Sequence, residues 1–417
     1  MKFNVSPGVI VCVFACLYAC AATAADSAQN ERGDAAALQH ARELLQATPL
    51  IDGHNDLPWL IREEANSDVA AKRLEHRGEA ETDIPKLREG LVGAQFWSVW
   101  IPGETEAADV TRLQLEQIDI ALRIISEHPE TFELALTADD IEHVFAIGKI
   151  ASLLGMEGGY ALGNSLAAVR TYYDLGVRYI TLTHNVSVDW ADAALGEQRH
   201  DGLTEFGRTM VLEMNRTGMI VDIAHTSPAT MHDTLDVTQA PVIWSHAAAR
   251  AIVDHPRNVP DDVLKRLPEN GGMVMVTFVP SFLSTDVWEM EDELWATDAP
   301  LETTKYFRDI WIAYDAEFGA VRATIAQVAD HIEHVRDVAG VDHVGIGGDY
   351  WGMRDGPLGL EDVSGYPRLF AELIQRGWSD ADLRKLAGEN MLRVMREVES
   401  VARGELPLES HLVQPAL

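Results

Sequence analysis

The sequence of 417 residues predicts an α/β protein, a (β/α)8 TIM-type barrel with an inserted segment after its seventh strand. Three observations predict it. Eight short apolar runs alternate with stretches of helical periodicity, the cadence of parallel strands joined by crossover helices. Six of the eight runs carry a His, Asp or Glu at or just past their C-terminal end, and in such a barrel those ends converge on the face that holds the site. The chain is 47% hydrophobic and 24% charged, enough for one large core, and its length suits a barrel with insertions as a single domain. Two domains of ordinary size are the alternative that length allows.

The first 25 residues read as a signal peptide, not as fold. Met1-Lys2 gives a positive start, Val9 to Cys20 is an apolar run too short for a comfortable membrane span, and Ala22-Thr23-Ala24 resembles a cleavage site. Leu17-Tyr18-Ala19-Cys20 also resembles a lipobox, but Tyr18 is bulky for one, which favours plain cleavage over lipidation at Cys20. The expected protein is exported, periplasmic or secreted, and begins at residue 26. Cys12, Cys16 and Cys20 all lie in this segment, so the mature chain has no disulfide and any metal must be held by nitrogen and oxygen. Any homodimer would form without disulfides. No later apolar run is long enough to span a bilayer. The formal net charge of −33 and the absence of a clustered Lys/Arg patch exclude nucleic acid as a partner.

The mature chain opens polar and then helical, from Ala36 to Gln46. The first strand, Pro49-Leu50-Ile51, runs into Asp52-Gly53-His54-Asn55-Asp56. Alternation along a strand points His54 and Asp56 to one side, half of a site for a divalent metal. Residues 62–82 read as an exposed loop, and Val92 to Trp100 as the second strand. Helical spacing follows over 106–127, through Val110, Leu113, Leu115, Ile118, Ile120, Leu122 and Ile125. The third strand, Ile150 to Met156, ends in Glu157-Gly158-Gly159. A helix over 164–175, with Asn164 as N-cap and Gly176 beyond its end, leads to the fourth strand, Val177 to Leu182, ending Thr183-His184-Asn185.

The pattern repeats with a helix at 204–216, a strand from Met219 to Ile223 ending at His225, a helix at 228–236, and a strand from Pro241 to Trp244 ending Ser245-His246. A helix at 260–268 precedes the seventh strand, Gly272 to Val279. Residues 281–320 form the insertion, rich in acids and in Trp288, Trp295, Phe307, Trp311 and Tyr314, with a small satellite core as its default role. A helix at 321–338 and the eighth strand, Val344 to Gly348, end at Asp349. Gly345-Ile346-Gly347-Gly348 is not a dinucleotide fingerprint, because no helix opens behind it. A helix from Ser379 to Val401 closes the barrel domain, taken as residues 26–403, and 404–417 is a tail without a hydrophobic run.

A lone His at a strand end is more often structural than a ligand. Six polar strand ends in one chain are hard to reach by chance. Three His with two or three carboxylates suffice for two metal ions sharing a carboxylate, which together polarise a carbonyl and activate a water. With no sulfur available, zinc is the natural ion, and manganese or cobalt could substitute.

The chain resembles the membrane (renal-type) dipeptidases, zinc peptidases of the metal-dependent hydrolase superfamily. The matching segments are Asp52 to Asp56, Met156-Glu157-Gly158-Gly159, Leu182-Thr183-His184-Asn185, Asp222-Ile223-Ala224-His225, Ser245-His246, Arg257 to Asp262, and Gly345 to Asp349. They run in order over nearly the whole mature chain, weak singly and specific together. The resemblance implies two Zn2+ per chain: one on His54 and Asp56, the other on His225 and His246, with Glu157 bridging. It implies that a metal-bridging hydroxide attacks the peptide carbonyl of a free dipeptide, including dipeptides with a C-terminal D-residue. It further implies that His184 contacts the substrate carbonyl and stabilises the oxyanion, Arg257 clamps the free carboxylate, and Asp349 shuttles the proton to the leaving amine.

There are departures. Trp351 stands where relatives commonly carry a second Asp, and the insertion is longer than in mammalian members. The main rival is a hydrolase of the same barrel acting on lactones, phosphotriesters or N-acyl amino acids. Those relatives often open with His-x-His and use a modified lysine, whereas this chain has His54-x-Asp56 with Glu157 and His184 on its middle strands. The distant rival is a non-catalytic envelope binding protein.

Overall fold

A computed structural model of the chain describes residues 33–295, 321–353 and 355–404. The expected signal peptide, the later part of the insertion with Phe307, Trp311 and Tyr314, and the tail from 405 lie outside the described residues. No helix among the described residues is long and apolar enough to cross a membrane.

Nine parallel strands build the sheet: β1 (Leu50–Asn55), β2 (Val92–Ser98), β3 (Phe132–Leu134), β4 (Ile150–Glu157), β5 (Val177–Thr181), β6 (Ile220–Asp222), β7 (Val242–Ala247), β8 (Met273–Val276) and β9 (Val344–Ile346). Their order is β2-β1-β9-β8-β7-β6-β5-β4-β3, and a further β2–β4 pairing closes the ring. Eight strands therefore form the barrel, and β3 stands outside it. β3 pairs with Ile150 to Ser152 at the start of β4, on an edge that β5 joins only from Leu154 onward.

The eight expected apolar runs are the eight barrel strands. Each is buried along its whole length, because the barrel interior covers one face and the crossover helices the other. The long helix Ala107–Glu127 turns Ile118, Ala121, Ile124 and Ile125 inward, a spacing of three and four residues. Leu115, one of the residues of the predicted period, is 45% exposed.

Several local expectations are corrected. Residues 62–82 are not a plain loop: helix Leu57–Ala65 runs into them, Val69–Lys72 is helical, and Val69 and Leu74 are buried. The helix after β4 begins at Leu166 with Ser165 as N-cap, while Asn164 sits in the left-handed region at φ 55° after a 3-10 turn. Gly176 does follow its end with positive φ, as expected. The span 260–268 divides into Asp261–Leu264 and Leu267–Asn270, with Pro268 opening the second helix. Helices Ala138–Ala146 and Tyr366–Gln375 stand where the sequence pattern predicts no element. The first has a capping box between Thr137 and Asp140. The insertion begins with helices Pro280–Leu283 and Thr285–Trp295, and Trp288 packs edge-on against His255 at 4.2 Å.

Candidate metal centre

Parallel closure brings all eight strand ends to one face. His54 and His246 are carried inside β1 and β7, Glu157 is the last residue of β4, and Asp56, His184, His225 and Asp349 lie one to three residues beyond β1, β5, β6 and β9. His225 and Asp349 adopt φ of 63° and 64°, and Trp351 follows at 75°. Three of the non-glycine residues with left-handed backbone therefore sit at this face, where such strain is commonly held by surrounding structure.

Glu157 is the centre of the cluster. Its Oε2 lies 3.4 Å from His54 Nε2, while its Oε1 lies 2.8 Å from His225 Nε2, 3.4 Å from His246 Nε2 and 3.8 Å from His184 Nε2. His54 Nε2 is also 3.4 Å from Asp56 Oδ2 and 3.9 Å from Asp349 Oδ1. Gly352 lies under these last two carboxylates: a Cβ there would come within 2.7 Å of Asp56 Oδ2 and 2.1 Å of Asp349 Oδ1. The two oxygens of one carboxylate thus face two separate sets of ligands.

Hydrogen bonds behind the rings fix which nitrogen faces inward. His225 Nδ1 lies 3.0 Å from Asn185 Oδ1, an acceptor, so Nδ1 carries the proton. His246 Nδ1 lies 2.9 Å from Ser245 Oγ, whose own proton goes to Asp222 Oδ2 at 2.6 Å, so this Nδ1 is again the donor. His54 Nδ1 lies 2.9 Å from the Tyr179 hydroxyl. Each imidazole in its neutral form therefore turns an Nε2 lone pair toward Glu157. The Nε2 atoms of His225 and His246 face each other at 2.9 Å, which two lone pairs tolerate only with a cation between them or a proton on one.

Charge points the same way. Burial pushes His225 and His246 well below the usual imidazole range, with Arg257 adding to the effect, and keeps them neutral, the ligating form. His184 is likewise lowered by burial. Burial would lower His54 too, but the Tyr179 oxygen, Glu157 and Asp56 outweigh it and raise the ring. Burial raises Glu157, but the imidazoles of His54, His184, His225 and His246 together hold it well below the usual range. Burial raises Asp349, and Asp56 and Glu157 push it further against His54 and Arg257. The cluster is a buried pocket of carboxylates that demands positive charge. His54 Nε2 and Asp56 Oδ1 are buried without hydrogen-bond partners among the described residues. Such orphaned atoms and inward lone pairs fit divalent cations held by nitrogen and oxygen.

Three groups of side chains offer ligand atoms within 4.8 Å of one another: His54, Glu157 and His246; Glu157, His184 and His225; and His54, Asp56 and Asp349. Arg257, in the segment after β7, is 2% exposed and its Nη1 has no partner among the described residues. Its guanidinium lies over Phe282, 5.2 Å from the ring centroid. Seven of the eight residues singled out in the sequence therefore cluster at this face, and Arg257 is near enough to feel the charges of Asp349 and Glu157.

The residues behind the ligands are less legible. Asp52 is fully buried and accepts from Gly348 N at 2.7 Å and Tyr366 Oη at 2.7 Å, joining β1 to the end of β9. Asp222 accepts from Thr181 Oγ1 and Ser245 and so joins β5, β6 and β7. Asp52, Asp222, Ser245 and Asn185 all occur within the quoted motifs, but nothing in the sequence separates them from spacers. Tyr179 carries no motif signal at all.

The fold and site define a barrel of the metal-dependent hydrolase kind, with candidate ligands at its C-terminal strand ends. The chain belongs to the membrane dipeptidase family, peptidase family M19, whose model matches residues 38–407. It is therefore a metallopeptidase of dipeptidase type. It is 41% identical to Dipeptidase 3 of Mus musculus over 379 residues, covering 89% of this chain and 69% of that protein. The probable dipeptidase PvdM of Pseudomonas aeruginosa superposes with a TM-score of 0.77 at 25% identity, over 88% of this chain and 99% of the other. The solved dipeptidase AC, a metallo peptidase of family M19, gives a TM-score of 0.70 at 25% identity, over 84% and 98%.

Proposed function

We propose that the protein is a two-zinc dipeptidase that hydrolyses free dipeptides, including those with a C-terminal D-residue. The observation that carries the two-ion reading is Glu157, with Oε2 toward His54 and Oε1 toward His225 and His246. His54, Asp56 and Glu157 would hold one ion, and His225, His246 and Glu157 the other, with manganese or cobalt as substitutes. Two such ions, when bound, polarise the scissile carbonyl and lower the pKa of a water between them.

The chain's own groups do the rest. Arg257, buried with an unpartnered Nη1, clamps the substrate's C-terminal carboxylate with its planar fork. His184 Nε2, beside Glu157, donates to the carbonyl oxygen as negative charge develops there. Asp349 Oδ1, beside His54, takes the proton of the attacking water and delivers it to the leaving amine. The D-residue preference rests on the family resemblance alone. The lactonase rival gains nothing from the site, since Glu157, not a lysine, ends β4 and stands between His54 and His225.

The test is amino-acid release by residues 26–417 from L,L- and L,D-dipeptides, with N-acetylated and C-amidated controls, before and after chelation and zinc restoration. Cleavage that needs metal and both free ends supports the proposal. Two bound metals without cleavage of any dipeptide overturn it. Export is part of the same proposal: N-terminal sequencing of the exported protein should begin at residue 26, and a lipid-modified Cys20 would contradict that cleavage site.

A further inference from the structure

We propose that Tyr179 is a positioning residue that sets which nitrogen of His54 faces the metal centre, and that Gly155 is the seat that lets it do so. The inference rests on the reading of His54 as a ligand. Tyr179 lies mid-strand in β5 and is fully buried. Its register partner on β4 is Gly155. A Cβ at Gly155 would fall 2.0 to 2.4 Å from Cζ, Oη and Cε1 of the tyrosine. The ring therefore lies flat over the neighbouring backbone, a path open only where that residue has no side chain. Phe96 of β2 flanks the ring at 5.2 Å. The hydroxyl passes β4 and β2 and arrives at β1, 2.9 Å from His54 Nδ1 and 3.1 Å from Gly53 O.

A phenol has one proton and lone pairs to accept with. Gly53 O can only accept, so it takes the phenolic proton. What remains for His54 Nδ1 is a lone pair, and Nδ1 must therefore be the donor. Without this bond the balance would reverse. Oxygens of Asp56 and Glu157 stand 3.4 Å from Nε2 and favour a proton there, the tautomer that blocks a cation. Tyr179 opposes that pull from the far side of the ring. It serves one ion only, because His225 and His246 are fixed by Asn185 and Ser245. Partners of this kind behind a ligand typically alter metal affinity by about 10–100-fold.

The experiment titrates metal on the full mature chain against a graded chelator, reading ions per chain, for wild type, Tyr179→Phe and Ser245→Ala. Wild type should hold two ions. Tyr179→Phe should hold one ion as tightly as wild type and the other about 10–100-fold more weakly. Ser245→Ala should weaken a single ion as well, and the double variant should weaken both. Cobalt loading gives a second readout, since only the absorption of the His54 ion should change in Tyr179→Phe. Gly155→Ala, measured in the same way, displaces the ring while keeping the hydroxyl and should copy Tyr179→Phe, so it decides the matter if that variant fails to fold. Two ions of wild-type affinity in Tyr179→Phe, or in a folded Gly155→Ala, overturn the inference. A wild-type chain that binds no metal instead overturns the two-metal reading itself.

Discussion

Arg257→Met sets stability against activity and so tests the carboxylate clamp sharply. The guanidinium is 2% exposed, and burial lowers it to about 10 in spite of Asp349, Glu157 and Asp222. The fall from an ordinary 12.5 converts to about 3 kcal/mol of folding free energy spent on holding this charge, at about 1.4 kcal/mol per tenfold. Methionine keeps an apolar contact with Phe282 and gives up a cation–π contact worth about 0.5–2 kcal/mol. The metal-free variant should therefore gain about 1–2 kcal/mol, and its Tm should rise by a few degrees. The same change leaves the substrate carboxylate without a partner, at about 2–5 kcal/mol, so kcat/KM for a free dipeptide should fall about 30- to 5,000-fold. A C-amidated dipeptide has no carboxylate to lose, so whatever residual turnover it shows should barely change. Melting in chelator and amino-acid release from the two substrates measure both arms. A variant that melts several degrees lower, yet keeps kcat/KM within about threefold of wild type, would refute the reasoning.

Glu157→Gln keeps the shape of the side chain but turns an amide toward one set of imidazoles, so bound metal and activity should fall together; two ions per chain in that variant would remove Glu157 as a bridge. Asp349→Asn should retain both ions and lose about 10²–10⁴-fold in kcat, the usual contribution of a general acid–base group; near-normal turnover would take Asp349 out of the mechanism. His331 is buried in its neutral form, with Nδ1 accepting from Ala249 N and Nε2 donating to Leu283 O, and burial lowers it to about 4. The unfolded chain binds this proton near pH 6.5 and the folded chain only near 4. About 3 kcal/mol of stability, present above pH 6.5, should therefore drain away as pH falls toward 4. Urea midpoints from pH 7 to 4.5 should drop less steeply in His331→Gln than in wild type, and parallel slopes would contradict the assignment.

The sequence by itself determined the barrel and the candidate ligands at its strand ends. Both are written locally. A barrel strand buried on both faces is a continuous apolar run, and the residue that caps it toward the site follows within three positions, as in Met156-Glu157 or Ile346 to Asp349. Helix Ala138–Ala146 carries a start signal in Thr137 and Asp140, but its apolar stretch is too short to show a helical period. Asn164 lost the N-cap to Ser165 because a 3-10 turn intervenes, and turn geometry has no sequence period. Only the tertiary structure decided which oxygen of Glu157 faces which histidine, that Arg257 is buried with an Nη1 lacking a hydrogen-bond partner among the described residues, and that Tyr179 reaches His54 from 125 residues away. Such contacts depend on how the ring of strands closes and on the empty space above Gly155. Closure is a property of all eight strands at once, so no window of the sequence contains it.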